Sequence, residues 1–181
     1  YQVTGIDQSQ SMIDLAALRA GQADVEVNFQ VEDMRELSYT TNFDLVTCLF
    51  DSMNYLLTIK DLNAAILGAF NALKLGGLYI FDMNTIYGLA VDWMRAQTYI
   101  QNQTDNFIEI HQQEFDYENS IATMRITIFQ KQGELWERIE ETHHERGYPI
   151  ADVRFLLEQA GFEVVAIYGS LSKQTEPQTT S

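Results

Sequence analysis

The sequence predicts an α/β domain in which a parallel sheet is interrupted by an inserted antiparallel sheet. In the first half of the chain, short apolar segments alternate with segments of helical periodicity. Between residues 107 and 146, by contrast, three longer segments alternate apolar and polar residues at every second position. Strands that alternate with helices are typical of parallel sheets with covered faces, whereas consecutive alternating strands joined by short turns form antiparallel meanders.

Capping and turn residues bound the helices of the first half. The first helix should begin after an N-cap at Ser9 and end at Gly21. The second should span residues 61–73, where an apolar stripe is followed by Gly76 and Gly77. The strands are short, and the third is so continuously apolar that we expect both of its faces to be covered. The expected strands are residues 2–6, 25–31, 43–50 and 78–81.

The second half contains the inserted sheet and the end of the α/β core. The expected elements of the insert are strands at 107–115, 121–130 and 135–146, with turns at 116–120 and 131–133. A helix at 151–160, ended by Gly161, and a final strand at 162–168 should complete the core. The resulting division is residues 1–88 and 149–171 for the core, 89–148 for the insert and 172–181 for a polar tail.

Composition and charge narrow the possible partners. With 181 residues, of which 46% are hydrophobic and 20% charged, the chain is long enough for one globular domain. It has no apolar run of the length that a transmembrane helix needs. A formal net charge of -15 disfavours nucleic acid and anionic membranes as partners and promotes solubility. The single cysteine, Cys48, excludes an internal disulfide framework and fits a reducing compartment, so we expect a cytoplasmic location.

Polar residues follow the first two predicted strands, at the edge where open parallel sheets bind ligands. After the first strand, Asp7 could accept both hydroxyls of a ribose, or it could cap the next helix. After the second strand, Asp33 could accept from an adenine amino group while Met34 packs on the ring. The alternative for that segment is a surface turn. These positions therefore favour a nucleoside site, with a structural alternative at each.

A second polar group follows the third and fourth strands. It comprises Asp51, Asn54 and Tyr55 after the third strand, and Asp82 and Asn84 after the fourth. Polar groups at the rim of apolar strands are where we expect the reacting centre. The alternative is an ordinary helix start, capped by Asp51 or by the serine that follows it.

Five segments together resemble the class I S-adenosylmethionine-dependent methyltransferases. Their order and spacing carry the resemblance more than any single motif does, and they cover nearly the whole chain. The last segment is similar to the end of a subgroup of small-molecule methyltransferases that insert a β-meander after the fifth strand. The segments are VTGIDQSQSM, VNFQVEDMREL, FDLVTCLFDSMNYL, NALKLGGLYIFDMNT and EETHHERGYPIADVRFLLEQAGFEVVAIYG.

The resemblance implies a Rossmann-like methyltransferase sheet with a three-stranded antiparallel lid over a small-molecule acceptor. It also implies that parts of the family's sheet lie outside these residues. The family's first strand and its Gly-rich ExGxGxG-type loop should precede Tyr1, and its seventh strand should follow Ser181. We therefore expect a fragment of a longer product, without the loop that cradles the methionine part of the cofactor.

The resemblance also assigns binding roles. Asp7 would bind the ribose of S-adenosylmethionine, Asp33 and Met34 the adenine, and Leu49 and Phe50 the methionine portion. The full set expected to bind the cofactor is Asp7, Gln8, Met12, Asp33, Met34, Leu49 and Phe50. The set expected to bind the acceptor is Asn54, Tyr55, Asn84, Arg146 and Tyr148.

The last strand of the lid carries the expected catalytic residues. Alternation places Glu141 and His143 on one face with apolar neighbours, which suggests a partly buried polar pair. By resemblance, His143 belongs to a recurring E-x-H-x-x-R-x-Y pattern. We expect His143 to face the acceptor, Glu141 to orient or charge it, and Asp51 to lie at the reacting centre. The alternative is a structural hydrogen-bonded pair. Elsewhere, His111 is expected on the surface, and Trp93 and Trp136 in packing roles.

The leading functional hypothesis is methyl transfer from S-adenosylmethionine to a nitrogen or oxygen of a small metabolite, by in-line displacement. A second is a degenerate domain that binds a partner without catalysis. A third is a nicotinamide-dependent oxidoreductase, which one acidic loop permits but the antiparallel insert disfavours. No metal is expected, because His, Cys and Asp do not cluster at metal-ligand spacing. No pattern specifies the acceptor atom or the oligomeric state.

Overall fold

A computed structural model describes residues 1–169 and divides the chain into two compact units. The first unit comprises Tyr1–Thr47 and Ile59–Ile80. The described part of the second comprises Cys48–Thr58 and residues 81–169. The tail expected at 172–181 lies outside the described residues. No helix in the described range is both long enough and apolar enough to cross a membrane.

The first unit alternates strands and helices, as the sequence predicts. Its elements are β1 (Thr4–Asp7), α1 (Gln10–Gln22), β2 (Asn28–Val31), β3 (Phe43–Cys48), α2 (Ile59–Ala72) and β4 (Leu73–Phe81), the last residues of β3 and β4 reaching the second unit. β1 pairs with β2 in parallel, and β3 lies beside β4. Within the described residues these are two separate two-stranded sheets.

Helix α1 begins where its capping residue predicts. Ser9 has extended backbone and its Oγ accepts from the Met12 amide at 3.4 Å, which confirms the N-cap. The helix passes through Gly21 and ends one residue later, with Ala23 as its C-cap. Gly21 therefore does not end the helix, because it keeps helical backbone and the Ala23 amide satisfies the last carbonyls.

Helix α2 supplies the core of the first unit. Leu62 and Ile66 are fully buried on its apolar stripe. The helix ends at Ala72 rather than at the glycine pair, because the backbone amides of Thr41 and Asn42 bind the carbonyls of its last turn at 2.7 and 2.8 Å. The glycine pair instead lies inside β4, where Gly76 has a φ of +78°.

Strand β3 is shorter and more exposed than predicted. It ends at Cys48, and Leu45 is 51% exposed. Within the described residues, the expectation of a strand covered on both faces is therefore wrong. The strand stops because, after one intervening residue, Phe50 and Asp51 both have positive φ.

The second unit is built on a four-stranded antiparallel sheet. Its strands, in spatial and chain order, are β5 (Thr98–Thr104), β6 (Phe107–Asp116), β7 (Ile121–Gln132) and β8 (Leu135–Arg146). Sequence patterning predicts three of these strands and misses β5. That strand is an exposed edge of mostly polar residues with a bulge after Ile100, so pairing with β6 defines it and alternation does not.

The end of the described chain differs from the prediction in one element. Helix α3 (Ile150–Ala160) ends at Gly161, whose φ of +106° confirms it as a left-handed cap. Residues 162–168 form no strand. They belong to none of the three sheets of the described range, and Val165 is 80% exposed, so apolar character alone does not make them a strand.

The register of the sheet places its important side chains on one face. Gln113 lies opposite Met124, and Met124 lies opposite His143. In the next row, His111 lies opposite Ile126, which lies opposite Glu141. Directly opposed residues of antiparallel strands point to the same face, so these six side chains share one.

Candidate active site

In the first unit, Asp7 takes part in the start of helix α1, and its role at a ribose stays a prediction. Its Oδ1 accepts from the Ser9 amide at 2.8 Å, so it helps to start α1. Its Oδ2 makes no hydrogen bond with any described residue and remains an acceptor for a ribose hydroxyl. The Glu32 amide donates to the Asp7 carbonyl at 3.1 Å, which places the segment after β2 beside it. Gln8 and Met12 are exposed near this edge.

Asp33 is more constrained than the prediction assumed. Arg35 binds its carboxylate with the guanidinium, at 2.5 Å from the terminal nitrogen to Oδ2, and with the backbone amide at 2.9 Å. This pairing holds the pKa of Asp33 below its usual value. Only those lone pairs of the Asp33 carboxylate that Arg35 does not occupy could accept a hydrogen bond from an adenine. The neighbouring Met34 is half-buried.

In the second unit, an unusual turn follows β3. Phe50 and Asp51 have φ of +59° and +51°, two consecutive left-handed residues without glycine. The turn is held by the Asp82 carboxylate, which accepts from the Asp51 amide at 2.9 Å, and by the Ser52 hydroxyl, which donates to the Leu49 carbonyl at 2.9 Å. The Phe50 ring is 87% exposed. Asp51 makes no side-chain cap to the next helical turn, Ser52–Tyr55, so the capping alternative does not describe it.

Asn54 is fully buried and joins three segments of the second unit. Its amide nitrogen donates to the carbonyls of Asn84 and Arg146, both at 2.9 Å. Its amide oxygen accepts from the Asn84 backbone at 2.8 Å. These bonds fix the segments after β3, β4 and β8 to one another, and they leave the Asn54 amide inside the protein.

The Asn84 side chain links two carboxylates. Its amide nitrogen donates to Asp51 at 3.1 Å and to Glu145 at 2.9 Å. Burial raises the pKa of Glu145 to about 7 and also raises the pKa of Asp51. Sequence reasoning missed Glu145, although it lies two residues beyond His143 and therefore on the same face of β8.

Tyr55, His143 and Glu141 form a hydrogen-bonded chain at the edge of this network. The Tyr55 hydroxyl lies 3.2 Å from His143 Nδ1, and His143 Nε2 lies 3.4 Å from Glu141. Burial raises the pKa of Tyr55, with a further contribution from the negative charges of Glu145 and Asp51. The predicted pair is present, but the Glu141 side chain is 55% exposed and thus less buried than expected.

Arg146 and Tyr148, expected to bind the acceptor, instead hold the end of the Ser52–Tyr55 turn. Arg146 donates to the Leu57 carbonyl at 2.8 Å, and the Tyr148 hydroxyl donates to the Leu56 carbonyl. The guanidinium also lies over the Tyr148 ring, 5.1 Å from its centre. Their polar groups therefore act on the backbone of the site.

His111 is buried, which contradicts its expected surface position. Only 8% of the residue is exposed, because it lies on the covered face of β6 and binds Glu109 and Tyr99. Of the two tryptophans expected to pack, Trp93 is half-buried and Trp136 is 43% exposed. Among the described residues, no group of three His, Cys, Asp or Glu side chains could hold a metal ion.

Comparisons with known proteins agree with this architecture. The profile of a family described as a methyltransferase domain matches residues 1–77. YqeM of Bacillus subtilis (strain 168), named as a methyltransferase, is 27% identical over 183 residues, which span 100% of this chain and 72% of that protein. A protein of Geobacillus sp. (strain WCH70), also named as a methyltransferase, is 28% identical over 99% of this chain and 72% of its own length.

Solved structures of methyltransferases share this architecture. An S-adenosylmethionine-dependent methyltransferase from Clostridium acetobutylicum ATCC 824 has a TM-score of 0.87 and 26% identity, over 97% of this chain and 70% of that chain. CalS10, an amino pentose methyltransferase from Micromonospora echinaspora with S-adenosylmethionine bound, shares the fold with a TM-score of 0.71 and 17% identity, over 96% and 71%. The architecture is thus the Rossmann-like fold of class I methyltransferases. The family match over residues 1–77, the curated relatives and the Clostridium structure together support a class I S-adenosylmethionine-dependent methyltransferase, a class whose cofactor is S-adenosylmethionine.

The described residues of the first unit fit the nucleoside half of this cofactor. Asp7 offers an unbonded carboxylate oxygen at the end of β1, the position where a ribose binds in open α/β sheets. The segment after β2, with the half-buried Met34, lies beside it through the pairing of β1 and β2.

Proposed function

We propose that this enzyme methylates a nitrogen or oxygen atom of a small molecule, and that the acceptor atom lies against Tyr55. The observation that supports this most is the hydrogen-bonded chain from Tyr55 through His143 to Glu141. Tyr55 is 46% exposed, so a ligand can reach this side chain, and His143 behind it is held between Tyr55 and Glu141.

The direction of the hydrogen bonds in this chain suits removal of a proton from the acceptor. If Nε2 of the neutral His143 ring carries the proton, it donates to Glu141 and leaves Nδ1 to accept from Tyr55. The Tyr55 oxygen then keeps its lone pairs for an N–H or O–H of the acceptor. As the acceptor loses its proton to the Tyr55 oxygen, the Tyr55 proton moves to His143 Nδ1, and the Glu141 carboxylate stabilises the imidazolium.

The remaining polar residues position this chain. Bound S-adenosylmethionine supplies an activated methyl group, so the protein mainly has to align the acceptor and exclude water. Asn54 fixes the segments that carry Tyr55 and Asn84, and Asn84 orients the carboxylate of Asp51. We propose Asp51 as the group that orients the acceptor, because Asn84 fixes its Oδ2 at 3.1 Å and the carboxylate forms no ion pair with a described residue.

The adjacent histidines of β8 provide a matched test. His143→Ala should lower the turnover number by about 10³-fold, within the range for loss of an acid–base group. His144→Ala should leave turnover unchanged, because His144 points to the other face and binds Thr123 at 3.1 Å. Turnover is measured as S-adenosylhomocysteine released with a panel of small amines, alcohols and phenols.

Cofactor affinity, measured by calorimetry, should be equal in both variants and in the unmodified protein. Full turnover in His143→Ala, with this affinity retained, would refute the proposed role. We further propose a cytoplasmic location, which the single thiol of Cys48 supports.

A further inference from the structure

A second chain of hydrogen bonds runs across the covered face of the antiparallel sheet. Glu109 Oε1 lies 2.6 Å from His111 Nε2, and His111 Nδ1 lies 3.2 Å from the Tyr99 hydroxyl. The Gln113 amide nitrogen lies 3.5 Å from the same hydroxyl. Nothing in the proposed methyl transfer uses these four residues.

The direction of these bonds fixes the orientation of Gln113. With one proton on the His111 ring, the short contact to Glu109 places that proton on Nε2, so Nδ1 accepts from the Tyr99 hydroxyl. The Tyr99 oxygen can then accept only from the amino end of Gln113. The carbonyl end of Gln113 consequently points away from Tyr99, and its Oε1 is buried without a hydrogen-bond partner among residues 1–169. A buried acceptor without a donor is unfavourable until something supplies one.

Gln113 lines a cavity of about 410 Å³ at the end of the sheet where β5 begins. Phe115, two residues further along β6 and therefore on the same face as Gln113, also lines it, as do Gln97 and Gln112. Arg125 also lines it but is neutralised by Glu114, with 2.8 Å between guanidinium and carboxylate. The two charged residues of the lining therefore compensate each other, and Gln113 and Phe115 supply an amide and an aromatic ring on one face of β6.

We propose that this cavity binds an uncharged, hydroxylated ring, whose hydroxyl donates to Gln113 Oε1 while its apolar face packs on Phe115. Amides that both donate and accept suit hydroxyl groups, and a neutral wall disfavours ions. Gln113, Met124 and His143 form one row across three strands, so the cavity lies about 10 Å from His143, two strand spacings away. This assignment rests on the proposed function: the cavity would hold the part of the acceptor that is remote from the methylated atom.

Methyl α-D-glucopyranoside is a probe with the required chemistry. Titrated into the ¹⁵N-labelled protein without cofactor, it should shift the side-chain amide signals of Gln113 and the backbone signals of Gln97. Gln113→Leu should weaken its binding about fivefold, the loss that one net hydrogen bond represents. Gln103→Leu is the matched control, because Gln103 is an exposed β5 glutamine outside the cavity. The affinity of this variant for the glucoside should equal that of the unmodified protein.

Two further measurements keep the test decisive. Tyr99→Phe removes the oxygen that holds the Gln113 amino group, so binding should weaken even though the cavity wall is intact. D-Glucuronate, the charged analogue, should bind more weakly than the neutral glucoside. Unchanged affinity in Gln113→Leu or Tyr99→Phe, or tighter binding of glucuronate, overturns the proposal. Because no methyl transfer is measured, failure here is distinct from failure of the His143 test.

Discussion

Two hydrogen-bonded chains of the same three residue types lie in different surroundings, each with its histidine and glutamate on the inserted sheet. Both consist of a tyrosine hydroxyl 3.2 Å from histidine Nδ1 and a glutamate two residues before the histidine. At His143 the histidine and glutamate side chains are 32% and 55% exposed, whereas at His111 they are 11% and 22% exposed. The imidazole–carboxylate distance is 3.4 Å in the first chain and 2.6 Å in the second.

Sequence spacing alone therefore does not assign a role to such a chain. An exposed chain has a tyrosine that a substrate can reach, and its loose contacts can rearrange during proton transfer. A buried chain has no such access, and its tight contacts order neighbouring groups, here the Gln113 amide. Burial thus separates a chain that can exchange protons with a ligand from one that fixes geometry.

The largest expected effect separates the two tyrosines by activity. Tyr55→Phe should lower the turnover number by about 10³-fold, because it removes the oxygen that accepts the acceptor's proton. Tyr99→Phe should change turnover less than threefold for acceptors that do not reach the Gln113 cavity. The double variant Tyr55→Phe/His143→Ala should be no slower than either single variant, because groups that act as one unit are not additive. Additive losses in steady-state kinetics would show two independent functions.

A smaller effect concerns the Glu145 carboxyl, which lies on the face of β8 that carries His143 and should make the stability of the protein depend on pH. Glu145 is 3% exposed and has a pKa of about 7, against an ordinary value of 4.5. A carboxyl whose folded pKa is raised stabilises the fold below pH 4.5, and this contribution is lost as the pH rises through 7. Between pH 4.5 and 8 the unmodified protein should lose about 3 kcal/mol of unfolding free energy relative to Glu145→Gln.

Urea denaturation at several pH values measures this difference directly. Glu145→Gln keeps an acceptor for the Asn84 amide, so it isolates the charge from the hydrogen bond. A difference between the two proteins that stays constant across this pH range would contradict the burial of an ionisable Glu145.

The smallest expected effect is on stability, where His111 should contribute more than His143, the reverse of their expected order in catalysis. His111→Ala should lower the free energy of unfolding by about 2 kcal/mol, because Glu109 and Tyr99 lose a buried partner. His143→Ala should cost less than about 1 kcal/mol, since its partners can bind water instead. Equal losses in denaturant unfolding would mean that exposure does not distinguish the two chains.

The positions of the candidate site residues along the strands could be predicted from the sequence more readily than their surroundings. Residues after the strands, such as Asp7 and Asn84, follow from the rule that parallel sheets bind ligands at one edge. Alternation placed His143 and Glu141 on one face because a strand has a strict period of two. The same alternation also predicts the face of β8 on which Glu145 lies. Its burial could not be predicted, because it depends on Asn84 and Asp51 from distant segments.

The errors have a common physical origin. Strand β5 was missed and residues 162–168 were assigned to a strand because pairing, and not apolar content, decides whether an extended segment is a strand. His111 was placed on the surface because a polar residue is normally exposed unless it is paired, and its pairing with Glu109 and Tyr99 is a tertiary property.

The bonds of Asn54 and Asn84 also bear on the order of folding. They join residues that are 30, 33, 61 and 92 positions apart in the chain, whereas the hairpins of the sheet join near neighbours. Contacts of long sequence separation close the largest loops and tend to form late. We expect the acceptor site to assemble after the sheet itself, and to open by local unfolding before the sheet is lost.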